Sequence, residues 1–168
     1  DMIGGANAVD RLTGAPIVSL YGDRFEDLAP KPEHLAEIDV LLVDLADIGS
    51  RYYTFIWTAL LALRAAAAAG VHTVILDRPN PLGGRVAEGK HQEAGLLSFV
   101  GLEPVPVRHA LTIGEIVALF AERGGLGLGA SGALRVVTNA GWDRGALAPS
   151  WDRPFVMTSP NMPTFETA

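Results

Sequence analysis

The stretch LLVDLADIGSRYYTFIWT, residues 41–58, and the stretch VILDRPNPLGG, residues 74–84, are built alike. Each is an apolar run that stops at an acid, Asp44 or Asp77, and opens into a polar, turn-rich loop. Between them lies an alanine-rich segment that includes the unbroken run Ala65 to Ala69. Alanine is the strongest helix former, so the order reads strand, helix, strand. Such a unit is a right-handed crossover between parallel strands in nearly all cases. Both loops then open at the carboxyl edge of one sheet, where open α/β sheets bind ligands. The chemistry is expected among the residues that follow Asp44 and Asp77.

Working outward, residues 39–45 form a near-continuous run of Val and Leu, the pattern of a strand covered on both faces. Residues 53–69 predict a helix that is apolar almost all round and stops at Gly70. Residues 73–76 are the next strand. Upstream, PIVSL at 16–20 reads as a short strand closed by Tyr21-Gly22, and residues 32–37 fit one or two helical turns opened by Pro32. Downstream, residues 104–107 are a further candidate strand. Thr112 and Glu115 have capping-box spacing ahead of the apolar run 116–120, with Gly124 and Gly125 as the stop. Residues 134–138 read as a last strand. The class is α/β with a parallel sheet.

At 168 residues, one domain with a real core is the default. The net charge of −6, with no basic cluster, argues against a nucleic-acid surface and against a polybasic membrane anchor. Cysteine is absent, which removes disulfides and thiolate metal sites. The longest apolar stretch, residues 55–71, contains Arg64 and belongs to the crossover helix, so it is not read as a membrane span. The chain starts at Asp1 and both ends look cut, so the lack of a signal peptide says little. Gly125, Gly127 and Gly129 follow a helix and precede a strand, the reverse of a dinucleotide-binding loop.

Asp44, Asp47, Arg51, Tyr52 and Tyr53 cluster after the first strand. Carboxylates, a guanidinium and phenols together suit a polyhydroxylated ligand. Four of the five also have a structural reading: Asp47 as a helix cap, Arg51 as the partner of Asp44, and Tyr53 as a core ring. Asp77, Arg78 and Asn80 follow the second strand, threaded between Pro79 and Pro81 and followed by Gly83-Gly84. Two prolines stiffen that loop, which can hold polar side chains in register. Glu88 follows the glycines, and Arg108 and His109 precede the helix opened by Thr112. Ser159, Asn161 and Thr164 lie in the turn-prone run SPNMPT. The residues alone define a polar cleft on an α/β sheet and no unique reaction.

Taken in order, SLYG (19–22), the stretch 41–58, the stretch 74–84 with its following Glu88-Gly89, FVGLEPVPVRHALTIGE (99–115) and SPNMPT (159–164) resemble the exo-β-N-acetylmuramidases of bacterial cell-wall recycling. DIGSRYYT and DRPNPLGG carry most of the likeness. The resemblance implies an enzyme that removes N-acetylmuramic acid from the non-reducing end of peptidoglycan fragments, acting outside the cytoplasm, with no metal or nucleotide cofactor. It implies a Rossmann-like domain, here residues 1–140 without its first strands, and a smaller auxiliary domain whose linker or start is residues 141–168. Members are longer and carry an upstream Pro-Glu-His-Gly segment whose Glu is the favoured catalytic acid. Pro32-Glu33-His34 does not match it, because it follows SLYG and lacks the glycine. This chain is therefore expected to be an incomplete, inactive central piece.

Glycoside hydrolysis usually employs two carboxyl groups flanking the scissile bond. Glu88 is the first candidate within these residues and Asp47 the second. Arg51, Arg78 or Arg108 is expected to bind the lactyl carboxylate of a muramyl saccharide, since a guanidinium engages a carboxylate bidentately. Asp44, Tyr52, Tyr53, Asp77, Asn80, His109 and Asn161 complete the expected binding set. The rival reading is a non-catalytic α/β module that binds a sugar or a nucleotide.

Overall fold

The computed structural model describes residues 8–129, 132–152 and 156. Ala8–Val9 (β1) pairs antiparallel with Pro16–Ile17 (β2). Asp10 closes the turn between them, its Oδ1 accepting the amides of Leu12 and Thr13 at 2.9 and 2.8 Å, as short acidic side chains do in turns. The strand expected over 16–20 therefore ends at Ile17 and belongs to this small ladder. Tyr21 takes the following residues elsewhere: its hydroxyl lies 3.0 Å from Thr58 Oγ1 and its ring meets Phe99 edge-on.

Pro32–Leu35 (α1) is one helical turn with Pro at its start. Then come Val40–Val43 (β3), Phe55–Ala68 (α2), His72–Leu76 (β4), Ile113–Arg123 (α3) and Leu134–Val137 (β5). β3, β4 and β5 form a parallel three-stranded sheet in that spatial order. The register sets Val43, Ile75 and Val136 side by side. Against that face pack Ile56, Trp57, Leu60 and Leu63 of α2 and Ile116, Val117 and Phe120 of α3. Each such large side chain fully removed from water contributes roughly 1.5–3 kcal/mol, so this seam is the main source of cohesion.

Among the described residues, no helix covers the opposite face of the sheet. Leu42 is 62% exposed, and Val40, Leu76 and Val137 are exposed beside it. The reading of residues 39–45 as covered on both faces is thus corrected. Among the described residues, α2 and α3 lie on the same side, and their apolar surface serves only the Val43–Ile75–Val136 face.

The helix ends follow the sequence closely. Thr112 Oγ1 accepts the Glu115 amide at 3.2 Å, and Glu115 Oε2 accepts the Thr112 amide at 2.9 Å; this is the capping box. Gly70 (φ +74°) and Gly125 (φ +70°) end α2 and α3 in the left-handed conformation. In each case the next residue's amide reaches back into the last turn, Val71 to Ala66 O and Leu126 to Ala121 O. The candidate strand at 104–107 does not form. Pro104 and Pro106 remove alternate backbone donors, and paired bridging begins only at Arg108. No helix among the described residues is long and apolar enough to cross a membrane.

Candidate active site

The loops that leave the carboxyl ends of β3 and β4 meet around Arg108. Its backbone exchanges two hydrogen bonds with Glu88, both 3.0 Å, and on its other side it lies opposite Ser50 in a second antiparallel bridge. Next to that bridge the Arg51 amide donates to Val107 O at 2.8 Å. Directly opposed residues in such bridges present their side chains to the same face. Ser50, Arg108 and Glu88 therefore stand in a row contributed by three separate loops.

The Arg108 guanidinium is held at two corners. Nη1 donates to Glu88 Oε2 at 2.7 Å and Nη2 to the carbonyl of Leu82. Nε is buried and meets no acceptor. These groups wall a cavity of about 470 Å³, with Tyr52 at its exposed rim and Leu82 and Val107 as apolar lining. Gly89 (φ +83°) runs so close to Val107 that a Cβ there would lie 3.0 Å from its side chain.

Behind the row lies a buried layer. The His109 side chain is fully buried, with Nε2 3.1 Å from Asp47 Oδ2 but off the line of a hydrogen bond. Its Nδ1 accepts the Leu111 amide at 3.2 Å, so a neutral ring carries its proton on Nε2, facing Asp47. Asp47 Oδ2 also accepts the Gly49 amide at 3.0 Å. Asp47 thus ties its own loop and does not cap α2, where the cap residue is Thr54. Asn80 is buried and joins two loops, donating to Leu111 O and accepting from the Leu82 amide, both at 2.9 Å. Gly49 (φ +81°) has to be glycine, because a Cβ would fall 2.4 Å from Asn80 Oδ1. Between His109 and Leu111, Ala110 takes φ +58°, a strained conformation for a residue with a side chain and one that collects at functional sites.

The remaining sequence candidates separate from this cavity. The Arg51 Nη1 atom donates to the carbonyls of Lys90 at 3.0 Å and Val105 at 2.9 Å, so its charge staples two loops. Arg51 does not pair with Asp44; Arg78 does, at 2.7 Å. That hydrogen bond holds the Asp44 carboxyl below the usual aspartate range. Tyr53 stacks edge-on against Phe55, centroids 4.9 Å apart. Asp77 turns towards α3, its oxygens taking the Thr112 hydroxyl at 2.6 Å and the Gly114 amide at 2.9 Å. Burial pushes its carboxyl above the ordinary value, against the pull of those bonds. Asp77 borders a second hollow of about 380 Å³ with Glu115, Trp142 and Arg144. There Arg144 grips Glu115 at 2.5 Å and lies over the Trp142 ring, 5.1 Å from its centroid. Asn161, with Ser159 and Thr164, lies outside the described residues. No group of three or more His, Cys, Asp or Glu among the described residues is placed to hold a metal.

Sequence reasoning passed over Ser50, Trp142 and Arg144. Ser50 lies inside the DIGSRYYT run, where a lone serine carries no chemical signal of its own beside the acid, the arginine and the tyrosines. Trp142 and Arg144 sit in a stretch without periodicity; Arg144 is placed by contacts to Gly84, Ala110 and Glu115 far along the chain, and Trp142 lies against Arg144.

The chain matches a family model over residues 3–166, described as exo-beta-N-acetylmuramidase NamZ, N-terminal. It is 42% identical over 159 residues to the peptidoglycan beta-N-acetylmuramidase NamZ of Bacillus subtilis (strain 168), covering 95% of this chain and 37% of that protein. Two solved structures of DUF1343 family proteins from Bacteroides fragilis NCTC 9343 are similar to it. One has a TM-score of 0.83 at 38% identity, covering 95% of this chain and 40% of its own. The other has a TM-score of 0.67 at 31% identity, covering 84% and 38%. The chain therefore spans less than half the length of these relatives. It belongs to the family of the exo-beta-N-acetylmuramidase NamZ N-terminal region.

Proposed function

We propose that this chain supplies the sugar-binding part of an exo-acting β-N-acetylmuramidase, which releases N-acetylmuramic acid from the non-reducing end of peptidoglycan fragments. One observation carries the reading: within a family named for that activity, an open cavity is lined side by side by a carboxylate, Glu88, and by the guanidinium of Arg108, whose buried Nε has no acceptor. The substrate differs from a glucosamine glycoside by an acidic lactyl ether, so recognition calls for a cation facing a sugar-sized cleft. Arg51 and Arg78 are engaged elsewhere, by two carbonyls and by Asp44. Arg108 is the guanidinium left facing the cavity.

In this reading Glu88 is one of the two carboxyl groups of the hydrolysis. Arg108 holds it in place and receives the lactyl acid, and Tyr52 borders the sugar at the rim. Asp47 and His109 act from beneath, fixing the loop that carries Ser50 and the backbone that carries Arg108. The test is hydrolysis of a chromogenic β-N-acetylmuraminide, by this chain and by a form extended to the length of the Bacillus subtilis relative. Turnover of the muraminide but not of the matching glucosaminide is the expected result. In the active form Glu88→Gln is expected to lower turnover at least about a hundredfold, the scale of a lost acid–base group. Unchanged turnover removes Glu88 from the chemistry. Sugar binding without turnover by any folded form favours the binding-module reading.

A further inference from the structure

Among the described residues, eight buried side-chain nitrogen and oxygen atoms make no hydrogen bond, and four of them belong to one patch: Asp47 Oδ1, Ser50 Oγ, Arg108 Nε and His109 Nε2. Native proteins leave few such groups unpaired, and those that remain call for a reason. Asp47 Oδ1 and His109 Nε2 belong to two side chains already in contact with each other at 3.1 Å. The other two atoms have no such account. Ser50 is only 6% exposed, its hydroxyl meets nothing, and it lines the same cavity as Arg108.

We infer that Ser50 is a specificity-determining residue, whose hydroxyl and the Nε–H of Arg108 together bind the carboxylate of an acidic sugar. The inference rests on the muramyl reading above and adds a residue to it. The geometry is the bridge between the two positions: Ser50 and Arg108 lie directly opposite each other, with Glu88 opposite Arg108 on the far side. Their side chains emerge as neighbours on one face. Glu88 occupies the Nη1 corner of the guanidinium and the Leu82 carbonyl the Nη2 corner. The Nε edge is what remains for an incoming acid. A carboxylate offers two oxygens, and two donors from adjacent residues match that need. The guanidinium then bridges two carboxylates, Glu88 at one corner and the ligand at its Nε edge. This also sets the acid of the ligand next to the residue proposed for the chemistry. A neutral sugar of the same ring leaves both donors unpaired, so the discrimination is built from an unmet demand in the protein.

The experiment is calorimetric titration of the protein with N-acetylmuramic acid, its methyl ester and N-acetylglucosamine, for the natural sequence and for Ser50→Ala. N-Acetylmuramic acid is expected to bind more tightly than both neutral sugars. Ser50→Ala is expected to weaken the acid alone by about tenfold, the scale of one hydrogen bond to a charged group, and to leave the neutral sugars unchanged. Removing a hydroxyl that bonds to nothing is not expected to lower the melting temperature, which reports that the variant is folded. If the folded variant keeps the full preference for the acid, Ser50 is not a determinant, although the muramyl reading stands. If the natural sequence does not prefer the acid over its ester, the muramyl reading falls and takes the role of Ser50 with it.

Discussion

Gly114→Ala should destabilise the protein although it replaces glycine with a better helix former. Gly114 is the second residue of α3 and sits against the end of β4. A Cβ there would lie 2.7 Å from Val136 Cγ1, 2.8 Å from Asp77 Cγ and 3.0 Å from Asp77 Oδ1. Alanine gains up to about 1 kcal/mol of helix propensity, and less in a first turn. Against this, forcing a methyl group into a packed contact costs about 1–3 kcal/mol. Displacing Asp77 also strains its bonds to the Gly114 amide at 2.9 Å and the Thr112 hydroxyl at 2.6 Å, each worth about 1.5–3 kcal/mol when the acceptor is charged. With partial relaxation the net loss is about 2 kcal/mol, or roughly 4–8 °C in Tm for a chain of this size. Thermal unfolding followed by circular dichroism reads it. Adding Val136→Ala opens one side of the contact and should recover at least about 0.5 kcal/mol as a coupling energy. A Tm that is unchanged or raised in the single variant would refute the close approach of α3 to β4, and with it the placement of Asp77.

Other outcomes follow from the same contacts. Arg51→Ala should lower stability by about 1–2 kcal/mol through two lost carbonyl bonds, measured by urea unfolding, while the preference for an acidic sugar survives; loss of that preference would return Arg51 to the binding set. Burial raises the Asp77 carboxyl above 3.8, so the folded state holds that proton more tightly than the unfolded one. Its contribution to stability is present below the unfolded value and is lost as pH rises through the raised folded value. Across about pH 4 to pH 7 the natural sequence should therefore lose more stability than Asp77→Asn, and parallel pH profiles for the two would contradict this. Leu42→Thr on the open sheet face should change stability by no more than about 0.5 kcal/mol, whereas Ile75→Ala beneath the helices should cost about 2–5 kcal/mol. Equal costs by chemical denaturation would mean that the open face is in fact covered.

The parts of the fold that local physics determines were legible in the chain. Thr112 and Glu115 cap α3 because a hydroxyl and a carboxylate three residues apart satisfy two orphan amides. Gly70 and Gly125 stop helices because they tolerate positive φ. The repeated apolar-run-to-acid pattern identified β3 and β4 and set them parallel. What local reasoning missed depends on which surfaces meet. The Val-Leu run at 40–43 is written for burial on both faces, yet among the described residues one face of it meets helices and the other meets none. Residues 104–107 are apolar enough for a strand, but alternate prolines deny the ladder.

The candidate site shows the same division. Composition could place acids and arginines at the carboxyl edge of the sheet, and Glu88, Arg108 and Tyr52 do line one cavity. Composition could not say which arginine was already engaged. That choice is made by the carbonyls of Lys90 and Val105 for Arg51 and by Asp44 for Arg78. Nor could it single out Ser50, whose interest lies in being buried opposite Arg108 with nothing to bond.

The central claim is that an acidic amino sugar sits among Ser50, Tyr52, Glu88 and Arg108. A titration of the nitrogen-15-labelled protein with N-acetylmuramic acid, followed by amide chemical shifts, tests it most directly. The expected result is saturable shifts concentrated at those four positions and at Gly89 and Val107, with N-acetylglucosamine producing weaker ones at the same amides. Shifts confined to the hollow around Asp77, Trp142 and Arg144, or no saturable shifts in a folded protein, would contradict it.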